Sequence, residues 1–89
     1  MENSKFVAQR LAEMYAEEFG GKPSGRYRIS RKLLAELVER RRLYPEDITE
    51  IARALFEKGF VLIDMESFFV VMSANAFVNY RRAGKSPAN

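Results

Sequence analysis

The chain has 89 residues, a net charge of +3 and neither cysteine nor histidine. This length allows a single domain. The missing side chains exclude disulfides, thiolate metal sites, cysteine nucleophiles and a Ser–His–Asp triad, so we expect no catalysis, no metal site and no cofactor. The first residues alternate charged and apolar side chains, and no apolar run approaches the roughly 18 residues that a membrane span needs. We therefore expect a cytoplasmic domain that binds a partner and makes no membrane contact.

The first predicted elements are a long helix and a short strand. Ser4 is placed to cap a helix that runs to about Phe19. Apolar residues recur along this helix at helical spacing, namely Val7, Leu11, Met14 and Tyr15. Two glycines then end the helix. Alternating polar and apolar residues over 26–29 predict a half-buried strand with Tyr27 and Ile29 facing inward.

Two further helices are predicted in close succession. Ser30 is a natural N-cap for a helix over residues 31 to about 43. The expected core stripe of that helix consists of Leu33, Leu34, Leu37 and Val38. Pro45 fits the first turn of the next helix, two acids follow it at the positive end of the helix dipole, and Gly59 ends the helix.

Two β-rich runs follow the helices. Residues 60–64 and 68–72 predict an antiparallel hairpin with its turn between them. Both runs are apolar on both faces, so the face turned away from the helices also needs a cover.

The last predicted element is a short helix over about 74–83, capped by Ser73. Its Phe77 and Val78 are one candidate cover for the hairpin, and a second subunit is the other. Residues 85–89 are expected to form a flexible tail.

The order of helix, strand, two helices, hairpin and short helix resembles the winged helix-turn-helix superfamily, over roughly residues 4–73. The resemblance implies one α+β domain over residues 1–84, in which the short strand joins the hairpin in a three-stranded sheet. The second and third helices would form the helix-turn-helix, and the hairpin would form the wing. No motif indicates a particular family within the superfamily.

Two groups of cations are candidates for phosphate contact. The first group, on the strand and the first turn of the second helix, comprises Arg26, Arg28, Arg31 and Lys32. The second group, at the end of the second helix, comprises Arg40, Arg41 and Arg42. The helix dipole opposes cations at a helix start, which indicates a purpose beyond stability for the first group, although a solvated surface explains that group equally well. For the second group, the dipole and pairing with Glu36 and Glu39 are the alternative, but two acids cannot neutralise three arginines, and the resemblance implies that this turn lies near a DNA backbone.

The third helix is the element that the resemblance assigns to reading bases. Its candidate residues are Thr49, Glu50 and Arg53, because arginine suits guanine and a carboxylate accepts from the cytosine amino group. Outside its core stripe, however, the helix carries four acids against two bases, and the hairpin turn adds Asp64 and Glu66. These acids would repel phosphates and favour a protein partner.

The predicted last helix also has a polar face. Asn75, Asn79 and Arg82 would lie on it together, and their side chains are of the kinds that pair with adenine and guanine. The simpler explanation is the solvent side of an amphipathic helix.

Two functions are consistent with these patterns. The first is a small regulator of transcription, or of a plasmid or phage, that binds double-stranded DNA as a homodimer. The second is a winged-helix module that binds another protein through the acidic third helix and the apolar hairpin.

Overall fold

The computed structural model describes residues 3–18, 21, 23–78 and 83–84, and it forms a small α+β domain with three helices and a three-stranded antiparallel sheet. The elements occur in the predicted order. They are α1 (Ser4–Tyr15), β1 (Tyr27–Ser30), α2 (Arg31–Val38), α3 (Pro45–Glu57), β2 (Phe60–Asp64), β3 (Phe68–Ser73) and a single 3₁₀ turn (Ala74–Phe77).

The sheet has the strand order β1-β3-β2, so β1 joins the hairpin as expected. Ile29 lies opposite Phe69 in one pair of strands, and Leu62 lies opposite Val71 in the other. Because side chains alternate along a strand, these four residues face the helices. The other face carries half-buried apolar side chains, which are Val61, Ile63, Phe68, Val70 and Met72.

The core lies between this sheet and the three helices. Its largest fully buried side chains are Val7, Leu11, Leu34, Ile51, Leu55, Phe69 and Val71. The Tyr27 hydroxyl donates a 2.6 Å hydrogen bond to the Leu11 carbonyl and so fastens β1 to α1. Burial raises the pKa of Tyr27, which keeps the hydroxyl protonated as a donor. Leu33 was expected in the core but is 42% exposed, because the short α2 turns only Leu34, Ala35 and Val38 fully inward.

Both ends of α1 differ from expectation. Asn3, not Ser4, occupies the N-cap position, and its side-chain amide donates to the Val38 carbonyl at 3.3 Å. The helix ends at Tyr15 instead of about Phe19, because its last turn tightens into the i→i+3 bonds of a 3₁₀ turn. The Gly25 amide then satisfies the Tyr15 carbonyl at 2.9 Å.

The expected end of α2, at about Leu43, is also wrong. Ser30 caps the helix as predicted, accepting from the Leu33 amide at 3.0 Å, but the helix ends at Val38. Glu39 adopts a left-handed conformation with φ of 63°. Its amide donates to Glu36 and the Arg40 amide donates to Ala35, both at 3.0 Å. These two bonds form a Schellman motif, a helix end that usually uses glycine.

The start of α3 matches the prediction, and the last element does not. Pro45 begins α3, and its first turn carries the two acids. Over the described part of the expected last helix, the chain forms only the 3₁₀ turn Ala74–Phe77, and the hydroxyl of its N-cap Ser73 accepts from the Asn75 amide at 3.2 Å. Val78, one of the two expected covering residues, is 71% exposed. Asn79, Arg82 and the predicted tail lie outside the described residues.

Candidate nucleic-acid interface

Five cations from two segments line one open cleft, which we call the cationic cleft. Its volume is about 510 Å³. The cations are Arg31 and Lys32 from the first turn of α2, and Arg40, Arg41 and Arg42 from the loop between α2 and α3. They meet because α2 has only eight residues, which is about 12 Å of helix, and the chain turns back after Glu39. Among the residues that the structure describes, Glu36 is the one carboxylate in this lining, so cations outnumber acids there.

The loop arginines do not lie on a helix, contrary to the sequence expectation. Because α2 ends at Val38 and Glu39 is left-handed, Arg40, Arg41 and Arg42 project from the loop and all three are exposed. They nonetheless follow the negative end of the α2 dipole, where cations are favoured.

Asp47 organises this loop. Its carboxylate accepts the Tyr44 amide at 3.1 Å, which caps the start of α3, and it lies 3.5 Å from the Arg40 guanidinium. Asp47 is only 2% exposed. Asp47 is one of the four acids that were expected on the surface of the third helix, and this expectation is wrong because the side chain turns inward onto its own helix terminus.

Arg31 joins the start of α2 to the hairpin turn. Its Nε donates to the Glu66 carbonyl at 2.8 Å, and its Nη2 lies 3.4 Å from the Asp64 carboxylate. The guanidinium also sits 4.8 Å from the centre of the Phe69 ring. One of the two acids of the hairpin turn, Asp64, is thus paired with a cation of the same chain at the surface.

The structure separates the first predicted group of cations. Arg31 and Lys32 line the cationic cleft. Arg28 lies instead on the outer face of the sheet, with its guanidinium 5.2 Å from the centre of the Phe68 ring. Arg26 is exposed just before β1 and is not among the residues that line the cleft.

The three candidate base-reading residues lie on α3, beyond the loop. Thr49 and Arg53 are exposed one turn apart, and Glu50 is half-buried. The Thr49 hydroxyl donates to the Pro45 carbonyl at 3.0 Å, which leaves its lone pairs available as acceptors. The exposed acids of this helix are Glu46 and Glu57.

Tyr44 was not among the predicted site residues, yet it lies beside the loop arginines. It is 44% exposed and lines a second pocket, of about 390 Å³, together with Arg40, Arg41 and Arg42. An aromatic residue two positions after three arginines is the available sequence signal, because aromatic side chains among cations are typical of nucleic-acid-binding surfaces.

Comparisons with protein-family models, curated proteins and solved structures find no match to this chain. Within the described residues, no helix is long and apolar enough to cross a membrane. The described part of the chain also contains no group of acids that would hold a metal ion. The geometry and charge of the cationic cleft are therefore the observations that bear on function.

Proposed function

We propose that the chain is a DNA-binding domain of the winged helix-turn-helix type, and that the cationic cleft contacts the phosphate backbone of a duplex. The observation that carries this proposal is the convergence of five cations from two separate segments on one cleft. Phosphate contacts supply most of the affinity of nonspecific DNA binding and a large share of specific binding.

Within the cleft, the cations divide into two roles. Arg31 and Arg40 are engaged by Asp64 and Asp47, so they position the hairpin turn and the loop. Lys32, Arg41 and Arg42 are exposed, and they are the residues we assign to direct phosphate contact.

The arrangement of elements supports the winged-helix interpretation. The sheet has the order β1-β3-β2 and lies behind α2 and α3. Arg31 bonds to the hairpin turn and also lines the cleft with the loop between α2 and α3, so the turn and this loop lie on the same side of the domain. In helix-turn-helix proteins the second helix of the pair enters the major groove while the preceding segment crosses the backbone. By analogy, α3 presents Thr49 and Arg53 to base edges, and the domain binds a regulatory site on duplex DNA.

The acids of α3 and of the hairpin turn are the main objection, and two ion pairs reduce it. Asp47 is buried against Arg40, and Asp64 is paired with Arg31, so two of the acids counted against phosphate contact are compensated. Glu46 and Glu57 remain exposed on α3. These two acids are the observation that favours the second candidate, a protein-binding module with a basic partner.

A salt titration of duplex binding tests the proposal. We expect the logarithm of the binding constant to fall linearly with the logarithm of salt concentration, as counterion release requires. Changing Arg41→Ala and Arg42→Ala together should reduce the magnitude of that slope by about two and weaken binding to all duplexes alike.

Lys58→Ala is the matched control. Lys58 follows the far end of α3, about 20 Å of helix from the loop, and its ammonium contacts Gln9 at 2.8 Å. The slope should be unchanged in this variant. Duplex binding that is insensitive to salt, or equally weakened by both changes, would refute the cationic cleft as the DNA contact and leave the protein-binding module.

A further inference from the structure

The strand β2 forms an open edge of the sheet. The Ala74 amide donates to the Gly59 carbonyl, and the Met65 amide donates to the Phe68 carbonyl, both at 2.9 Å. In an antiparallel pair such bonds alternate along the strand, so the backbone groups of odd-numbered β2 residues face β3. The backbone groups of Phe60 and Leu62 therefore point away from the sheet.

This edge lacks the features that usually block strand pairing. Unblocked edges are templates for another strand, and proteins protect them with proline, lysine or a bulge. The sequence of β2 is Phe-Val-Leu-Ile-Asp, and its pairing with β3 runs without a bulge. Among the described residues, no other element donates a backbone hydrogen bond to this edge. Asp64 at the strand end is its single charge.

An apolar pocket adjoins the same strand. Its volume is about 540 Å³, and its lining residues are Phe56, Val61, Ala74, Asn75, Phe77 and Val78. None of these side chains is charged, and Phe56 is 64% exposed. Because Val61 belongs to β2, the pocket lies beside the open edge, and we call the two together the apolar end.

We propose that the apolar end binds a second copy of this chain, with β2 pairing antiparallel to β2 of the other copy across a two-fold axis at Leu62. Two-fold contacts are self-complementary, and an antiparallel strand pair has this symmetry. In this register Phe60 lies opposite Asp64 of the other copy, so the two aspartates do not face each other. The result would be a continuous six-stranded sheet.

Charge permits this partner, and the area that a stable dimer needs points to strand pairing. The cationic cleft adjoins the other end of α3, so the positive charges of two copies are not forced together. Stable interfaces bury about 800 Å² per partner, whereas the exposed parts of Phe56, Phe77 and Val78 supply on the order of 300 Å². Strand pairing is needed to supply the remainder.

Sedimentation equilibrium from low micromolar to millimolar protein is the first test. We expect a concentration-dependent dimer, and we expect Phe56→Ser to raise the dissociation constant of this dimer about tenfold or more. Phe6→Ser is the matched control, because Phe6 is 74% exposed on α1 and does not line the pocket. Circular dichroism verifies that both variants fold, and we expect that they do because both substituted side chains are largely exposed. A monomer at every concentration, or equal effects of the two changes, would overturn the proposal.

Amide hydrogen exchange of the unmodified chain is the second test, and it requires no variant. The Leu62 amide should become protected as concentration rises, while the Ile63 amide, which faces β3, should be protected throughout. A dimer in which the Leu62 amide still exchanges freely would overturn strand pairing at this edge. The proposal does not rest on DNA binding, because neither measurement contains DNA and none of the altered residues lines the cationic cleft.

Discussion

The two ends of α3 are built from the same helix but carry opposite chemistry. At its start, a polar loop holds three arginines and a buried aspartate. At its end, Phe56 and the neighbouring strand present an uncharged surface. The first end is ordered by Asp47, which accepts the Tyr44 amide and pairs with Arg40, whereas the second end is held by backbone hydrogen bonds and by the bond from Lys58 to Gln9 on α1. A single helix thus separates a surface suited to a polyanion from one suited to another apolar surface.

The largest effect should come from the residue that orders the polar end. Asp47→Ala removes the acceptor of the Tyr44 amide and leaves Arg40 without its carboxylate, so we expect a loss of about 2 kcal/mol in the free energy of unfolding. Urea denaturation measures this loss. Asp47→Asn keeps an acceptor without the charge and should lose less. If both variants unfold like the unmodified chain, the loop is not organised by Asp47.

A smaller effect, of opposite sign, is expected at the end of α2. Glu39→Gly should raise the free energy of unfolding by about 0.5–1 kcal/mol, because glycine adopts the left-handed conformation without the penalty of a side chain. The matched control is Glu36→Gly on the same helix, which should destabilise by about 1 kcal/mol. Thermal unfolding compares the two, and destabilisation by both would contradict the left-handed assignment.

The smallest expected effect compares the two ends directly. Glu46→Gln removes an exposed acid beside the arginine loop, and should tighten duplex binding by a few-fold while destabilising α3 by about 0.5 kcal/mol. Glu57→Gln removes an equivalent acid at the apolar end and should leave duplex affinity nearly unchanged. Fluorescence anisotropy measures both affinities. Equal tightening would mean that net charge, rather than the cationic cleft, governs binding.

Local chemistry allowed most of the fold to be predicted. The cap at Ser30, the proline that begins α3 and the glycine after it each act within a few residues, so the element order followed from the sequence. The end of α2 could not be predicted, because a left-handed helix end is usually formed by glycine or asparagine, whereas this position is Glu39.

The candidate site was predictable in its residue types but not in its grouping. Arg31 and Lys32 were placed with Arg28, since they are close in sequence, whereas the structure puts them with the loop arginines. This regrouping results from strand alternation, which turns Arg28 to the outer face, and from the short α2. The burial of Asp47 depends on a tertiary contact that periodicity does not reveal.

The bonds from Arg31 to the hairpin turn have a consequence for the kinetics of association. Because its guanidinium holds the Glu66 carbonyl and Asp64 at once, the turn is docked on α2 before any ligand arrives. A partner that spans both elements would then meet a surface that needs little reorganisation, and preorganisation of this kind reduces the entropy lost on binding. The rate of such association would be limited by the diffusional encounter of the two molecules and not by a conformational change, and electrostatic steering would set this rate.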